Sequence, residues 1–330
     1  MLIRNLATLI LIVSVLLIVS CSQSTQEISI SPTKSFLPIA DTASPTITPS
    51  PIPTSTPTHT YTPLPSNTPT RTPKPTPLEV VKVMQYNVLF GGRFTEICDR
   101  RSSFGNTFDS IIYIIQQADP DILVVNEACD WDILAPKITK QLNMSDYFVG
   151  TDFIDGSAPI ALFTKYEILD TESLKYDEEI RMETLFKGIR ARIVTSSNQE
   201  LQIFGFHFTP QSGDEGNIAK RNQSEWVAKL IEEYPRDNVI LVGDLNATYD
   251  FYYSTFNPIG LTGLFHGGVH YRWTGESWLP IDQIWISPSL KFQPWSQNMD
   301  YYENLKSTIQ LWESASDHNP EAVVIGIYPP

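Results

Sequence analysis

The run Val239-Ile240-Leu241-Val242-Gly243-Asp244-Leu245-Asn246-Ala247 constrains this chain more than any other stretch. Four apolar residues in succession, two of them valine, describe a strand buried on both faces. Gly243 ends the run and lets the backbone turn. Asp244 and Asn246 stand two apart, so an extended backbone points both side chains to one side. A carboxylate at the mouth of a buried strand costs free energy unless something cationic meets it. The plainer alternative is a strand followed by an Asx-rich turn. Repetition favours a site, because several other apolar strands here also begin or end in a carboxylate, an amide or a histidine.

The chain has 330 residues and is 42% hydrophobic, enough for one large domain or two small ones. Residues Glu79–Pro330 hold 19 basic against 35 acidic side chains, a net charge of −16. That surface disfavours a tight, long-footprint grip on nucleic acid. It is compatible with a small acidic pocket that holds metal ions.

The N-terminus reads as an address. Arg4 precedes the apolar run Leu6–Val19, which is short for a membrane span and fits the core of a signal peptide. The run ends in Ile18-Val19-Ser20-Cys21, which resembles the lipobox of bacterial lipoproteins, with residues 1–20 removed and Cys21 lipidated. An ordinary signal peptide or a membrane anchor that happens to hold a cysteine is the alternative. Residues 21–78 are rich in Thr, Pro and Ser and too poor in large apolar residues to fold. Their prolines favour an extended stalk on the order of 170 Å at full reach. The expected product is an exported, membrane-anchored lipoprotein facing outside the cytoplasm, with its domain over residues 79–330.

Within that domain, Val80–Leu89 reads as a strand with Asn87 near its end, broken by Gly91-Gly92. Phe108, Ile111, Ile112 and Ile115 mark one face of a helix, capped by Asn106 or Thr107 and stopped at Asp119-Pro120-Asp121. Ile122–Val125 is a second buried strand, closed by Asn126-Glu127. Strand, helix and strand at this spacing predict a crossover with parallel strands. Asn87 and Glu127 then emerge at the same sheet edge, where ligands bind in such units. Leu134, Ile138 and Leu142 predict a helix, Ala158–Phe163 and Gly188–Thr195 strands, and Leu201–Phe208 a strand with His207 near its end. Gly216–Tyr234 reads as a helix, Ile281–Ile286 as a strand with Asp282 at its start, and Ser316-Asp317-His318 precedes a last strand at Ala322–Ile327.

Asn87, Glu127, His207, Gly243-Asp244-Leu245-Asn246, Ile281-Asp282 and Ser316-Asp317-His318, in that order, resemble the endonuclease/exonuclease/phosphatase superfamily. The resemblance covers about Glu79 to Pro330. It implies an α+β fold, a four-layer α/β/β/α sandwich of two mainly antiparallel sheets. It also implies a phosphoester hydrolase that uses Mg2+ or Mn2+. Asn87, Glu127 and Asp317 would be the metal residues, since hard cations want oxygen ligands. Asp244 would orient or deprotonate the attacking water, and Asn246 would hold that water or a phosphate oxygen. His318 would contact the phosphoryl oxygens or take a proton, with Asp282 fixing its tautomer. His207 is a candidate acid for the leaving oxygen.

Each residue also has an ordinary reading. A lone histidine such as His207 in an apolar strand is usually a satisfied core residue, and His266 and His270 suit a surface loop. Trp273 could line the substrate mouth or simply pack, as could Trp278. Glu127 is followed by Ala128-Cys129, without the arginine that DNase I-like nucleases place there. Arg100 and Arg101 are the candidates to replace it at the substrate. Cys21 being committed to lipid, Cys98 and Cys129 are expected to pair as a disulfide in an exported protein, with two buried free thiols as the alternative. The expected partners are a phosphoester substrate and, through the lipid, a membrane; the domain is expected to be a monomer. A non-catalytic binding or adhesion module on the same scaffold is the competing reading.

Overall fold

A computed structural model describes residues 75–89, 107–150, 159–174, 187–235, 237–264, 281–293, 298–308, 310–311 and 315–329. The chain divides into two units, Met1–Pro69 and Thr70–Pro330, and every described residue belongs to the second.

The first half of that unit runs β1 (Glu79–Asn87), α1 (Phe108–Ala118), β2 (Ile122–Asn126), α2 (Trp131–Gln141), β3 (Asp146–Val149), β4 (Ala161–Thr164) and β5 (Glu167–Leu174). It continues through β6 (Lys187–Val194), β7 (Glu200–His207), α3 (Gly213–Glu232), β8 (Val239–Asp244) and α4 (Tyr249–Phe256). It ends with β9 (Thr262–Gly263), β10 (Asp282–Ile286), β11 (Leu290–Phe292), α5 (Met299–Lys306) and β12 (Glu321–Ile327). Two six-stranded sheets result, one ordered β11-β12-β1-β2-β4-β3 and the other β5-β6-β7-β8-β10-β9. All strand pairs are antiparallel except β1 with β2 and β7 with β8. Both parallel pairs are joined through a helix, α1 and α3, as a parallel connection requires.

Strand alternation sorts the side chains into layers. Val81 and Val83 of β1, Ile122 and Val124 of β2, Ile203 of β7, Ile240 and Val242 of β8 and Ile284 of β10 form one buried cluster between the sheets. Their neighbours point outward. Met84, Tyr86, Leu123 and Val125 pack with Ile111, Ile115, Trp131 and Ile138 of α1 and α2. Phe204, Phe206, Leu241 and Trp285 pack with Val227 and Ile231 of α3 and Tyr252 and Phe256 of α4. This is the four-layer sandwich expected. Each fully buried Val, Ile or Phe of these layers contributes about 1.5–3 kcal/mol.

The inner faces turn polar toward one end. On β1 the inner positions run Val81, Val83, Gln85, Asn87; on β2, Ile122, Val124, Asn126; on β8, Ile240, Val242, Asp244. The parallel pairings align Asn87 with Asn126 and His207 with Asp244. The crossovers therefore bring these polar ends to one mouth of the sandwich.

Several elements differ from the sequence reading. Helix α3 starts at Gly213, ahead of the expected Gly216, with Asp214 and Glu215 in its first turn, where acidic side chains suit the helix dipole. Strand β5 is exposed at five of its eight residues and lies at a sheet edge, so it lacks the apolar signal of a buried strand. Strands β3, β9 and β11 and helices α4 and α5 are likewise short segments without strong periodicity. Thr107 is the N-terminal residue flanking α1, but its side chain makes no capping hydrogen bond.

Candidate active site

Gly243 shapes the mouth. Its φ is 152°, and a Cβ there would meet the carbonyl oxygen of Phe206 at 1.9 Å. Only glycine lets β8 approach β7 this closely. Asp244 follows at the end of β8, 1% exposed. Asn246 does not continue the extended geometry expected of it: its φ is 53°, in the left-handed region. Its backbone N–H donates to Asp244 Oδ1 at 3.0 Å, and its Nδ2 donates to the Phe208 carbonyl at 2.9 Å. The segment is thus a strand and an Asx turn together, because Asp244 satisfies the backbone that leaves the sheet.

Glu127, just past β2, also has a left-handed backbone, with φ 55°. A non-glycine residue held there costs of order 1 kcal/mol or more, and such positions concentrate at functional sites. Asn87 bridges the two carboxylates. Its Nδ2 donates to Glu127 Oε1 at 3.1 Å and to Asp244 Oδ2 at 3.0 Å, while its Oδ1 accepts from the Leu89 N–H at 3.1 Å. Asn87 therefore presents its nitrogen to the carboxylates and its oxygen to the backbone.

The two histidines flank Asp244. His207 Nε2 lies 3.6 Å from Asp244 Oδ2 and 3.8 Å from Glu127 Oε1. His318 Nε2 lies 3.7 Å from the same Asp244 oxygen and 3.9 Å from Asp317 Oδ1. On the far side of its ring, His318 Nδ1 is 2.7 Å from Asp282 Oδ2. Ser316 places this histidine: its hydroxyl donates to the Asn87 carbonyl at 2.7 Å and accepts from the His318 N–H at 3.2 Å.

Burial separates the two imidazoles. It drives His207 down to about 4, against the pull of Asp244, so His207 is neutral at pH 7. Burial acts the same way on His318, but Asp282 and Asp244 outweigh it and raise that histidine to about 10. His318 is thus a cation between two carboxylates. Burial also pushes the Glu127 carboxyl up, against the hydrogen bond from Asn87 and the charge of His318. The Asp244 carboxyl is likewise pushed up by burial, with His318 opposing.

The donor set fits a divalent cation. Asp244, Asp282 and His318 each offer a ligand atom, all within 4.8 Å of one another, a group able to hold a metal ion. Within this group His318 Nδ1 and Asp282 Oδ2 are already hydrogen-bonded to each other. The oxygens Glu127 Oε2 and Asp317 Oδ1 are buried without a hydrogen-bond partner. Orphaned carboxylate oxygens beside a buried cluster are what a hard cation would satisfy.

Of the residues expected from sequence, Asn87, Glu127, His207, Asp244, Asn246, Asp282, Asp317 and His318 meet at this mouth. Cys129 is disulfide-bonded. Its expected partner Cys98 lies outside the described residues, as do Cys21, Arg100, Arg101, His266, His270, Trp273 and Trp278. Three residues went unnoticed in the sequence. Gln85 and Asn126 sit fully buried on the inner faces beside Asn87. Lys187 is 5% exposed and pairs with His207 across β6 and β7. The signal for the amides was available: inward positions of apolar strands filled by side chains that must find partners.

Residues 84–318 match a family described as Endonuclease/Exonuclease/phosphatase family. A comparison with curated proteins finds no match. The chain is similar to an endonuclease/exonuclease/phosphatase family protein from Bacteroides thetaiotaomicron, at 18% identity and a TM-score of 0.53, over 78% of this chain and 100% of that one. It is similar to TDP2 from D. rerio, complexed with single strand DNA product, at 16% identity and a TM-score of 0.51, over 75% and 99% of the two chains. ANGEL2, a 2',3'-cyclic phosphatase, is similar at 13% identity and a TM-score of 0.51, over 76% and 96%. These likenesses concern the fold.

Proposed function

Because the chain belongs to the endonuclease/exonuclease/phosphatase family, we propose that it is a divalent-metal-dependent phosphoester hydrolase working outside the cytoplasm. The observation that carries this reading is Asp244, a buried carboxylate flanked by His207 at 3.6 Å and His318 at 3.7 Å. Three buried titratable groups at such distances are the arrangement that acid–base chemistry uses.

Glu127 and Asp317 would hold Mg2+ or Mn2+, which when bound neutralises phosphate charge and stabilises the leaving oxygen. Asn87, its nitrogen turned to Glu127 and its oxygen to the backbone, orients Glu127 rather than offering a ligand oxygen. Asp244 accepts a proton from the attacking water, which Asn246 helps to position. His318, protonated and held by Asp282, donates to a phosphoryl oxygen and stabilises the charge that builds there. His207, neutral at pH 7, is placed to donate a hydrogen bond to the leaving oxygen, which takes its proton from solvent, while the proton received by Asp244 returns to solvent.

The leader Arg4–Cys21 and the Thr/Pro-rich segment support lipid attachment at Cys21 and display on a stalk. The net charge of −16 over Glu79–Pro330 argues for a substrate held by few phosphate contacts. The related structures carry a DNA product in one case and a 2',3'-cyclic phosphatase activity in another, so phosphodiesters are the first substrates to try.

A panel of single- and double-stranded DNA, RNA, sphingomyelin, phosphatidylinositol and small phosphodiesters, assayed with magnesium, tests the proposal. Hydrolysis of at least one, abolished by Asp244→Asn, is the expected result. No turnover of any of them, by a protein shown to be folded, would favour a non-catalytic module.

A further inference from the structure

Gln85 is fully buried on the inner face of β1. Its Nε2 donates twice, to Asn126 Oδ1 at 2.9 Å within its own sheet and to Asp282 Oδ1 at 2.9 Å in the opposite sheet. The other oxygen of Asp282 is the one that meets His318 Nδ1 at 2.7 Å. We propose that Gln85, oriented by Asn126, is a positioning residue that sets the Asp282–His318 pair from across the sandwich. The inference rests on the hydrolase reading for its catalytic consequence, but not for its geometry.

Donor and acceptor identity settles which way each amide faces. The Phe206 carbonyl can only accept, and it takes Asn126 Nδ2 at 3.0 Å. Asn126 must then turn its Oδ1 the other way, where the Asp244 backbone N–H, which can only donate, reaches it at 3.3 Å. Facing that same Oδ1, Gln85 must present its nitrogen. Its second amide hydrogen is left for Asp282, and its own Oε1 is buried without a hydrogen-bond partner. A buried acceptor left unsatisfied is destabilising, so the orientation is imposed by the neighbours rather than chosen by the glutamine. The backbone of β7 and β8, the strands that carry His207 and Asp244, thus dictates the hydrogen-bond direction at Asp282. No apolar residue could pass that direction on, and a glutamate would set a third carboxylate against Asp282.

The test is kcat and KM for Gln85→Met, alone and combined with Asp282→Ala, on the phosphodiester that the wild type hydrolyses best. Methionine keeps the size and removes the donor. We expect kcat to fall roughly 10- to 100-fold with KM unchanged. In the Asp282→Ala background the same substitution should cost nothing further, because the residue through which it acts is gone. Unchanged kcat, or a loss fully additive with Asp282→Ala, overturns the proposal. If the wild type hydrolyses nothing, the hydrolase reading fails, and the proton resonance of His318 Nδ1 decides this one. A resonance shifted or broadened by Gln85→Met supports it, and an unaltered one overturns it. Should the variant not fold, hydrogen exchange of the Gln85 side-chain amide in the wild type gives the answer. Strong protection of both hydrogens is expected, and exchange at the rate of an exposed glutamine overturns the assignment.

Discussion

His318 Nδ1 and Asp282 Oδ2 lie 2.7 Å apart, joining the loop ahead of β12 in one sheet to the first residue of β10 in the other. The contact fixes which face of the imidazole looks into the mouth. It also raises the histidine to about 10, together with Asp244 and against burial.

Removing that histidine should remove the reaction and leave the fold. His318→Ala is expected to lose about 10²- to 10⁴-fold in kcat. Asp282→Ala should lose less, because it acts through His318. Steady-state rates beside circular dichroism of each variant check this, and near wild-type turnover by a folded His318→Ala would contradict the assignment.

Gly243→Ala is expected to damage stability rather than chemistry alone. The new methyl would meet the Phe206 carbonyl at 1.9 Å, so β7 and β8 must separate. Overpacking and forced backbone conformations each cost about 1–3 kcal/mol. Urea denaturation should show the midpoint falling with the slope unchanged; an unshifted midpoint would mean that the two strands can part without cost.

Glu79 predicts a pH dependence of folding. Its Oε1 accepts from the Tyr166 hydroxyl at 3.0 Å and its Oε2 from the Ser197 N–H at 2.9 Å. Partial burial works against the charge, but these hydrogen bonds prevail, and the carboxyl sits below its ordinary value. A lowered carboxyl adds stability that is complete above the unfolded-state value and is lost as pH falls through the folded one. As pH falls below the ordinary glutamate range the wild type should therefore lose more stability than Glu79→Gln. Parallel curves for the two proteins would show that the hydrogen bonds carry no preference for the charged form.

The sandwich was legible because its buried strands announce themselves. Ile122–Val125 and Val239–Val242 are continuous apolar runs, and the Phe108–Ile115 periodicity marks the helix that joins two parallel strands. The exposed edge strand β5 and the short helix α4 carried no such pattern. In the site, a carboxylate or histidine after an apolar run was readable as a cost needing a partner. What the partner would be was not. The Asx turn at Asn246, the nitrogen that Asn87 turns toward Glu127 and the bridge from Gln85 to Asp282 depend on hydrogen bonds between residues distant in sequence.

Metal dependence of phosphodiester hydrolysis is the most direct test of the account. After exhaustive treatment with EDTA the protein should lose at least roughly 100-fold in rate, in keeping with the several kcal/mol such an ion supplies to charge stabilisation. Mg2+ or Mn2+ should restore the rate, and Glu127→Gln should raise the concentration needed to do so. Undiminished hydrolysis by fully chelated protein would contradict the account at its centre.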